Sequence, residues 1–212
     1  MDIILFGIQG SGKGTQGKVL AEKYNLKSFD MGGQLREMIS SGSDLGMKLK
    51  GIVEAGNLVD DDTVIEVIES FLSTATSDQS ILFDGIPRTL KQSEKLLNLL
   101  ESNNRDAFAV LVKISEKEAL RRTTQRRLCE KCKGIYGPDY KSDECHHCGG
   151  KLITRSDDNL ESIQRRIDTY NTETVPVIKD FYDRDHLIEV DGEQAINDVS
   201  AEMIEKVDYL FG

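Results

Sequence analysis

The sequence predicts an α/β protein whose sheet is parallel and doubly wound. Three observations carry this. Short apolar runs alternate with longer stretches of helical periodicity along the chain. The first run feeds a glycine-rich turn, Gly7-Ile8-Gln9-Gly10-Ser11-Gly12-Lys13-Gly14-Thr15, that opens a helix. Residues 129–150 alone break the alternation, with cysteines and glycines in place of apolar periodicity, as an insertion on the core would.

The first strand covers Asp2 to Phe6 and the first helix Lys13 to Tyr24. Leu26 to Phe29 is a short candidate strand, followed by helical patterns over Gln34 to Ser40, Asp44 to Ala55 and Asp61 to Ser73. Asp60 or Asp61 is placed to cap the last of these, with carboxylates in its first turn. A strand from Ser80 to Phe83, a helix from Leu90 to Leu100, a strand from Phe108 to Ile114 and a helix from Glu116 to Arg126 follow. Beyond the insertion come a helix from Leu160 to Tyr182, a strand from His186 to Val190 and a helix from Ile196 to Leu210.

Composition bounds what such a chain does. With 212 residues, 38% of them hydrophobic and 30% charged, it has the make-up of one sizeable globular domain. No apolar run approaches the roughly 18 residues of a membrane span. The opening residues, Met1 to Phe6, lack the basic stretch and apolar core of a signal peptide, so a cytosolic protein is expected. The net charge of -10 argues against a surface given over to nucleic acid. Residues 121–155 nevertheless carry +5, and they contain all four cysteines.

The turn after the first strand has the context of a phosphate loop. Its glycines let the backbone curl so that several N–H groups point inward. The helix N-terminus adds its positive dipole end, and Lys13 supplies a mobile charge for the outer phosphates. Gly14 stands where the general motif has a hydroxyl on Mg²⁺, with Thr15 next. That points away from GTPases and motor ATPases, and no Asn-Lys-x-Asp guanine motif occurs. Asp84-Gly85-Ile86-Pro87-Arg88-Thr89 follows another strand, where ligands bind in open parallel sheets. Asp84 is placed to face a metal through a water, and Arg88 to fork onto a phosphate.

Cys129-Glu130-Lys131-Cys132 and Cys145-His146-His147-Cys148, twelve residues apart, form two metal knuckles suited to tetrahedral zinc. Four protein ligands leave no open position, so the ion is structural. Disulfides are the alternative, disfavoured in a reducing compartment. His146 and His147 are expected to be non-ligands, with one of them replacing a cysteine as the alternative. Gly134 and Gly149-Gly150 supply the turns. The segment has too little apolar material for its own core, which a metal staple would offset.

Together these motifs resemble the adenylate kinases of the bacterial type with a long, zinc-bearing lid. The matching elements are Gly7 to Thr15, Gly32 with Leu35-Arg36, Leu58-Val59 with Asp61, Asp84 to Thr89 with Gln92, Arg122 with Arg126, Arg155 before Asp157-Asp158, Arg166, and Asp191-Gly192. The resemblance implies a phosphate-loop nucleoside-triphosphate-hydrolase-like fold with five parallel strands flanked by helices. Its core would be residues 1–29, 60–121 and 159–212, its AMP-binding segment 30–59 and its zinc-binding lid 122–158. The implied activity is reversible, Mg²⁺-dependent phosphoryl transfer from ATP to AMP, giving two ADP, by a monomeric cytosolic enzyme of adenine nucleotide homeostasis.

By the same resemblance, Gly10, Ser11, Gly12, Lys13, Gly14, Thr15, Arg122, Arg126, Ile135, Tyr136 and Gln194 would bind ATP. Met31, Arg36, Asn57, Leu58, Val59, Gly85, Ile86, Pro87, Arg88, Gln92, Arg155 and Arg166 would bind AMP. Lys13, Asp84, Arg88, Arg122, Arg126, Arg155 and Arg166 would act on the transferring phosphoryl group, and Cys129, Cys132, Cys145 and Cys148 would hold zinc. The four-residue spacing of Arg122 and Arg126 places both on one helix face. Gln92, one turn after Arg88, has the amide that pairs bidentately with an adenine edge.

The chain departs from the family pattern at Gln9, where proline is usual, and at Met31 and Gly33, which replace a hydroxyl and a carboxylate. The last two bear on AMP affinity and metal positioning, and Asp30 is the candidate replacement carboxylate. Two other readings stay open at this stage. One is a kinase of the same fold acting on UMP or CMP. The other is a zinc-ribbon nucleic-acid module with a nucleotide switch, against which the overall acidity and the unexplained Asp84 motif both stand.

Overall fold

The computed structural model describes residues 1–76, 79–155 and 158–211. The chain opens with β1 (Asp2–Phe6), α1 (Lys13–Tyr24), β2 (Lys27–Asp30), α2 (Met31–Ser40), α3 (Asp44–Glu54) and α4 (Asp61–Leu72). It continues through β3 (Ile81–Asp84), α5 (Leu90–Ser102), β4 (Ala107–Lys113) and α6 (Glu116–Thr124). The insertion holds β5 (Arg127–Cys129), β6 (Ile135–Tyr136) and β7 (Leu152–Ile153). After it come α7 (Leu160–Thr169), α8 (Val175–Asp183), β8 (Leu187–Asp191) and α9 (Ile196–Val207).

Strands β2-β3-β1-β4-β8 form one five-stranded sheet, every pair parallel. Parallel sheets of this kind are covered on both faces, and all five residues of β1 are buried. The period of two divides its side chains between two cores. Ile4 and Phe6 join Ile81, Phe83, Ala109 and Leu111 on one face, beneath α4, α5 and α8. Ile3 and Leu5 join Leu82, Val110, Val112, Ile188 and Val190 on the other, beneath α1 and α9.

Several helices start where their sequences say. Asp60, and not Asp61, caps α4 by accepting from Thr63 N–H at 2.9 Å. Ser43, Thr89, Ser115 and Asn159 accept in the same way at the starts of α3, α5, α6 and α7. One predicted helix divides. The segment expected to run unbroken from Leu160 to Tyr182 contains a π-helical turn over Tyr170–Thr174, immediately before α8 with Pro176 in its first turn. Proline lacks the N–H that an uninterrupted ladder needs at that point, and the wider turn absorbs the mismatch.

The insertion forms its own antiparallel sheet, β6-β5-β7, between α6 and α7 in chain order. Its small core is Cys129, Tyr136, Cys145 and Leu152, with Tyr140 packed against them. Ile135 and Ile153 are exposed, because on two-residue strands their side chains fall on the outer face.

Candidate active site

The carboxyl ends of β2 and β3 and the loops that follow β1 and β8 meet one cavity of about 1340 Å³. It exceeds the usual single-ligand volume of roughly 300–1,000 Å³, and so has room for two nucleotides. Its walls include Gly10 to Thr15, Met31, Arg36, Asn57 to Val59, Asp84, Gly85, Arg88 and Gln92. Arg122, Arg126, Ile135, Tyr136, Arg155, Arg166 and Gln194 complete them. Residues scattered over most of the chain are thus brought to one space. Ile86 and Pro87 are not among these walls. They are buried beneath, beside a smaller cavity of about 60 Å³ that also touches Lys13, Arg88 and Arg166.

The phosphate loop lies between β1 and α1. Gly12 stands at φ 94°, left-handed backbone that a side chain would strain. At Gly10, a Cβ would come within 2.8 Å of the Thr123 hydroxyl on α6, so the loop packs against that helix only without one. Burial lowers the pKa of Lys13, an effect opposed by Asp84. Burial likewise raises that of Asp84, opposed by Lys13. A Cβ on Gly14 would stand 3.5 Å from the Asp84 carboxylate, so this carboxylate occupies the space beside the position that lacks a hydroxyl.

Asp30 ends β2 in direct register with Asp84 at the end of β3. A Cβ on Gly33 would meet the Asp30 carboxylate at 2.7 Å, so Asp30 fills the space a side chain at 33 would need. It also pairs with Arg36 at 3.2 Å. Two carboxylates side by side at the phosphate loop are the hard oxygen donors that suit Mg²⁺. These residues fit the ion.

Arg88 is anchored by three hydrogen bonds. Its Nε donates to Gly85 O at 2.9 Å, and its own carbonyl accepts from Thr174 Oγ1 at 3.1 Å, in the π turn. Its backbone N–H donates to Gln92 Oε1 at 2.8 Å. Gln92 is buried, with its amide oxygen already engaged in shaping the Arg88 turn. The bidentate adenine contact expected of it therefore has to share that oxygen.

The helical-face expectation for Arg122 and Arg126 needs correction. α6 ends at Thr124, so Arg126 lies beyond the helix and its spacing from Arg122 does not aim it. Asp158 does: its carboxylate, fully buried, accepts from Arg126 Nε and Nη2 at 2.9 and 2.6 Å and lies 3.6 Å from Arg166 Nη1. Arg122 is held by Glu118 at 2.6 Å and by Gly192 O at 2.9 Å. Hydrogen bonding from Arg121, with Arg122 adding to it, holds the Glu118 carboxyl down to about 2. Asp158 and Glu118 position these arginines; motif reading matched Asp158 without giving it a role and passed over Glu118. The available signal was Asp158 as half of an acidic pair before a helix; its partner Asp157 lies outside the described residues.

Gln194 Nε2 donates to Glu202 and to Asp191 O, at the edge of the cavity. The amide oxygen of Gln9 is buried in the structure without a hydrogen-bond partner, at the junction of both cavities.

The four cysteine sulfurs lie within 4.8 Å of one another. Cys129 and Cys148 Sγ are 3.5 Å apart and Cys132 and Cys145 Sγ 3.4 Å, too far for disulfides, whose S–S length is about 2.05 Å. Four converging sulfurs fit tetrahedral zinc. His146 and His147 are exposed and are not in this group. The first turn is made by Lys133 at φ 59° instead of Gly134, and the second by Gly149 at φ 64°.

A parallel sheet with a phosphate loop, the anchored Asp84 to Arg88 turn and an array of arginines around one cavity defines a phosphate-loop phosphotransferase acting between two nucleotides. Comparison with known proteins is specific. Residues 5–186 match the family model described as adenylate kinase. The chain is 36% identical over 208 residues to an adenylate kinase of Methanocella arvoryzae, covering 96% of each chain. The same figures hold for an adenylate kinase of Archaeoglobus fulgidus. One from Staphylococcus aureus is 33% identical over 216 residues, covering 99% of this chain and all of the other. The chain belongs to the adenylate kinase family.

Proposed function

We propose that this chain transfers the terminal phosphoryl group of ATP to AMP within the single cavity, with Lys13 and the phosphate loop holding the donor and Arg88 the acceptor. The observation that carries the reading is the convergence of Lys13, Arg88, Arg122, Arg126, Arg155 and Arg166 on one cavity of about 1340 Å³. Phosphoryl transfer needs positioning and charge neutralisation more than proton chemistry, and this inventory is rich in fixed cations. The guanidiniums suit a transition state whose charge spreads over phosphoryl oxygens.

In this proposal Gly10 to Thr15 cradle the donor's phosphates, Arg122 and Arg126 meet them from the lid side, and Ile135, Tyr136 and Gln194 border its base. Arg36 and Arg88 bind the acceptor phosphate, Arg155 and Arg166 span the two phosphate groups, and Met31, Asn57, Leu58, Val59 and Gln92 border the acceptor base. Asp84, with Asp30 beside it, would hold Mg²⁺ through its water shell. The ion, when bound, neutralises charge on the donor phosphates. The segment 122–158 serves as a lid that excludes water during transfer, and 30–59 as the acceptor segment. Zinc on the four cysteines staples the lid. A monomer in the cytosol, with no nucleic acid or membrane as partner, completes the proposal; among the described residues no helix is long and apolar enough to cross a membrane.

A coupled assay of ATP against AMP, UMP and CMP tests it. AMP is expected to exceed the pyrimidine monophosphates by at least about a hundredfold in kcat/KM, since a site built to hydrogen-bond one base leaves polar groups unpaired with another. Comparable efficiency with UMP would defeat the acceptor assignment.

A further inference from the structure

Tyr136 stands in two places at once. On β6 it pairs with Arg127 of β5, two residues before Cys129, so its backbone belongs with the first cysteine knuckle. Its hydroxyl lies 2.9 Å from Cys145 Sγ, in the second knuckle. Tyr136 is therefore the side chain that ties the two halves of the cysteine cluster together without being a ligand.

The ring is held so that the hydroxyl has one direction to point. Tyr136 is 5% exposed. It packs on Tyr140 with centroids 4.5 Å apart and meets His146 edge-on at 5.4 Å. A buried phenol needs a partner for its O–H, and the sulfur is the one it has. Four thiolates around a divalent ion leave two excess negative charges, which hydrogen bonds to sulfur stabilise. Cys129 Sγ has a weak donor of this kind in the Cys132 N–H at 3.5 Å. Cys145 Sγ has backbone donors at His147 and Cys148, and its main donor is a side chain, Tyr136, which is open to substitution.

We propose that Tyr136 is a metal-positioning residue: its hydroxyl donates to the Cys145 thiolate and sets the affinity of the four-cysteine centre. Because the same residue lines the large cavity, the metal centre and the wall of the nucleotide cleft share one side chain. The inference rests on the reading of the four cysteines as a metal centre.

The test compares the full-length protein with Tyr136→Phe and Tyr140→Phe. Tyr140 is the control: its hydroxyl, in the same small core, donates to the Glu144 carbonyl at 2.8 Å and not to sulfur. Zinc affinity is measured by competition with a chromophoric chelator, without nucleotide. Tyr136→Phe should weaken zinc by about 10- to 100-fold, the usual effect of losing an outer-shell partner, and Tyr140→Phe by less than about threefold. In the Co²⁺-loaded proteins, the sulfur-to-metal charge-transfer band should move to lower energy in Tyr136→Phe alone, because its thiolate has lost a donor. This band is read on the loaded protein, so it reports even if the metal-free lid of the variant unfolds. Unchanged affinity and an unshifted band in Tyr136→Phe would overturn the proposal, as would equal losses in both variants, which would mark a packing effect. A parent protein that binds neither zinc nor Co²⁺ would overturn the metal centre itself, a result distinct from either.

Discussion

At Gly33 a single missing side chain shows how residue-level substitutions compensate. The Asp30 carboxylate occupies the space beside Gly33, so one carboxylate is present near the loop whichever position carries it. Gly33→Asp alone would press a second carboxylate against the first, and like charges at that range repel. It is expected to lower the melting temperature and weaken Mg²⁺ use, whereas Asp30→Ser combined with Gly33→Asp should recover both. Melting curves and Mg²⁺ titrations of activity decide this; a gain from Gly33→Asp alone would show that Asp30 does not face the metal. Gln92 carries a related lesson. Its oxygen shapes the Arg88 turn, so Gln92→Ala should reduce transfer as well as acceptor preference, visible as a fall in kcat alongside the loss of AMP over UMP selectivity. Lys13→Ala and Arg88→Ala should each cut transfer by roughly 10³-fold in folded protein, since each removes charge that matters most in the transition state. Near-normal turnover in either would defeat its assigned role.

Asp84 sets the expected pH response at the same scale. Burial raises its pKa above the ordinary 3.8, opposed by Lys13. Between 3.8 and its raised value the folded chain binds more protons than the unfolded chain, so stability falls as pH rises through that window. A bound cation favours the charged carboxylate and reverses the effect. Mg²⁺ should therefore stabilise the protein more at neutral pH than in acid, and the gain should vanish in Asp84→Asn. Thermal melts with and without Mg²⁺ across pH measure this, and a metal effect independent of pH would refute it.

At the scale of elements, the insertion proposed as a lid has its own sheet and its own small core, set between α6 and α7. That core is little more than two cysteines, a tyrosine and a leucine, too small to hold a fold unaided. Removing zinc, or substituting Cys129 and Cys132, should unfold this unit at lower temperature while the parallel sheet melts later. Two transitions in calorimetry would replace one, with some transfer retained in the cold. Elemental analysis finding no zinc, with the thiols oxidised, would reject the reading. Arg126 is aimed by an element boundary: α6 stops at Thr124, and Arg126 turns to the buried Asp158. Asp158→Asn should therefore weaken donor binding without changing any group that the proposal places on the nucleotide.

Across the whole molecule, stability and chemistry sit at opposite ends of the sheet. At the amino end, Asp2 accepts from Arg105 Nε and Nη2 at 2.8 and 2.7 Å and from Ile81 N–H at 2.8 Å, with both side chains nearly inaccessible. Arg105 goes on to Gln79 O, so one ion pair ties β1 to the loop before β3 and to the start of β4. Breaking it from one side strands a buried charge. Asp2→Ala should cost about 3–5 kcal/mol of stability in denaturant unfolding, with kcat at low temperature nearly unchanged. A loss below about 1 kcal/mol would mean that water reaches Arg105.

Much of this protein was legible from local pattern. Apolar runs bounded by helical periodicity specify a parallel sheet because such strands are buried on both faces, and the strands and all but one of the helices follow it. The phosphate loop, the two cysteine knuckles and the Asp84 to Thr89 turn were readable because their chemistry needs particular residues at short fixed spacing. What lay out of reach depended on groups far apart in sequence or on competition for one atom. Arg126 takes its direction from Asp158, 32 residues on, and Gln92 spends its oxygen on a backbone N–H. The π turn before Pro176 was likewise invisible to a 3.6-residue period. Spacing determines which face of an element a residue occupies; only packing determines which partner reaches it first, because hydrogen-bonding atoms are few and each buried one must be satisfied.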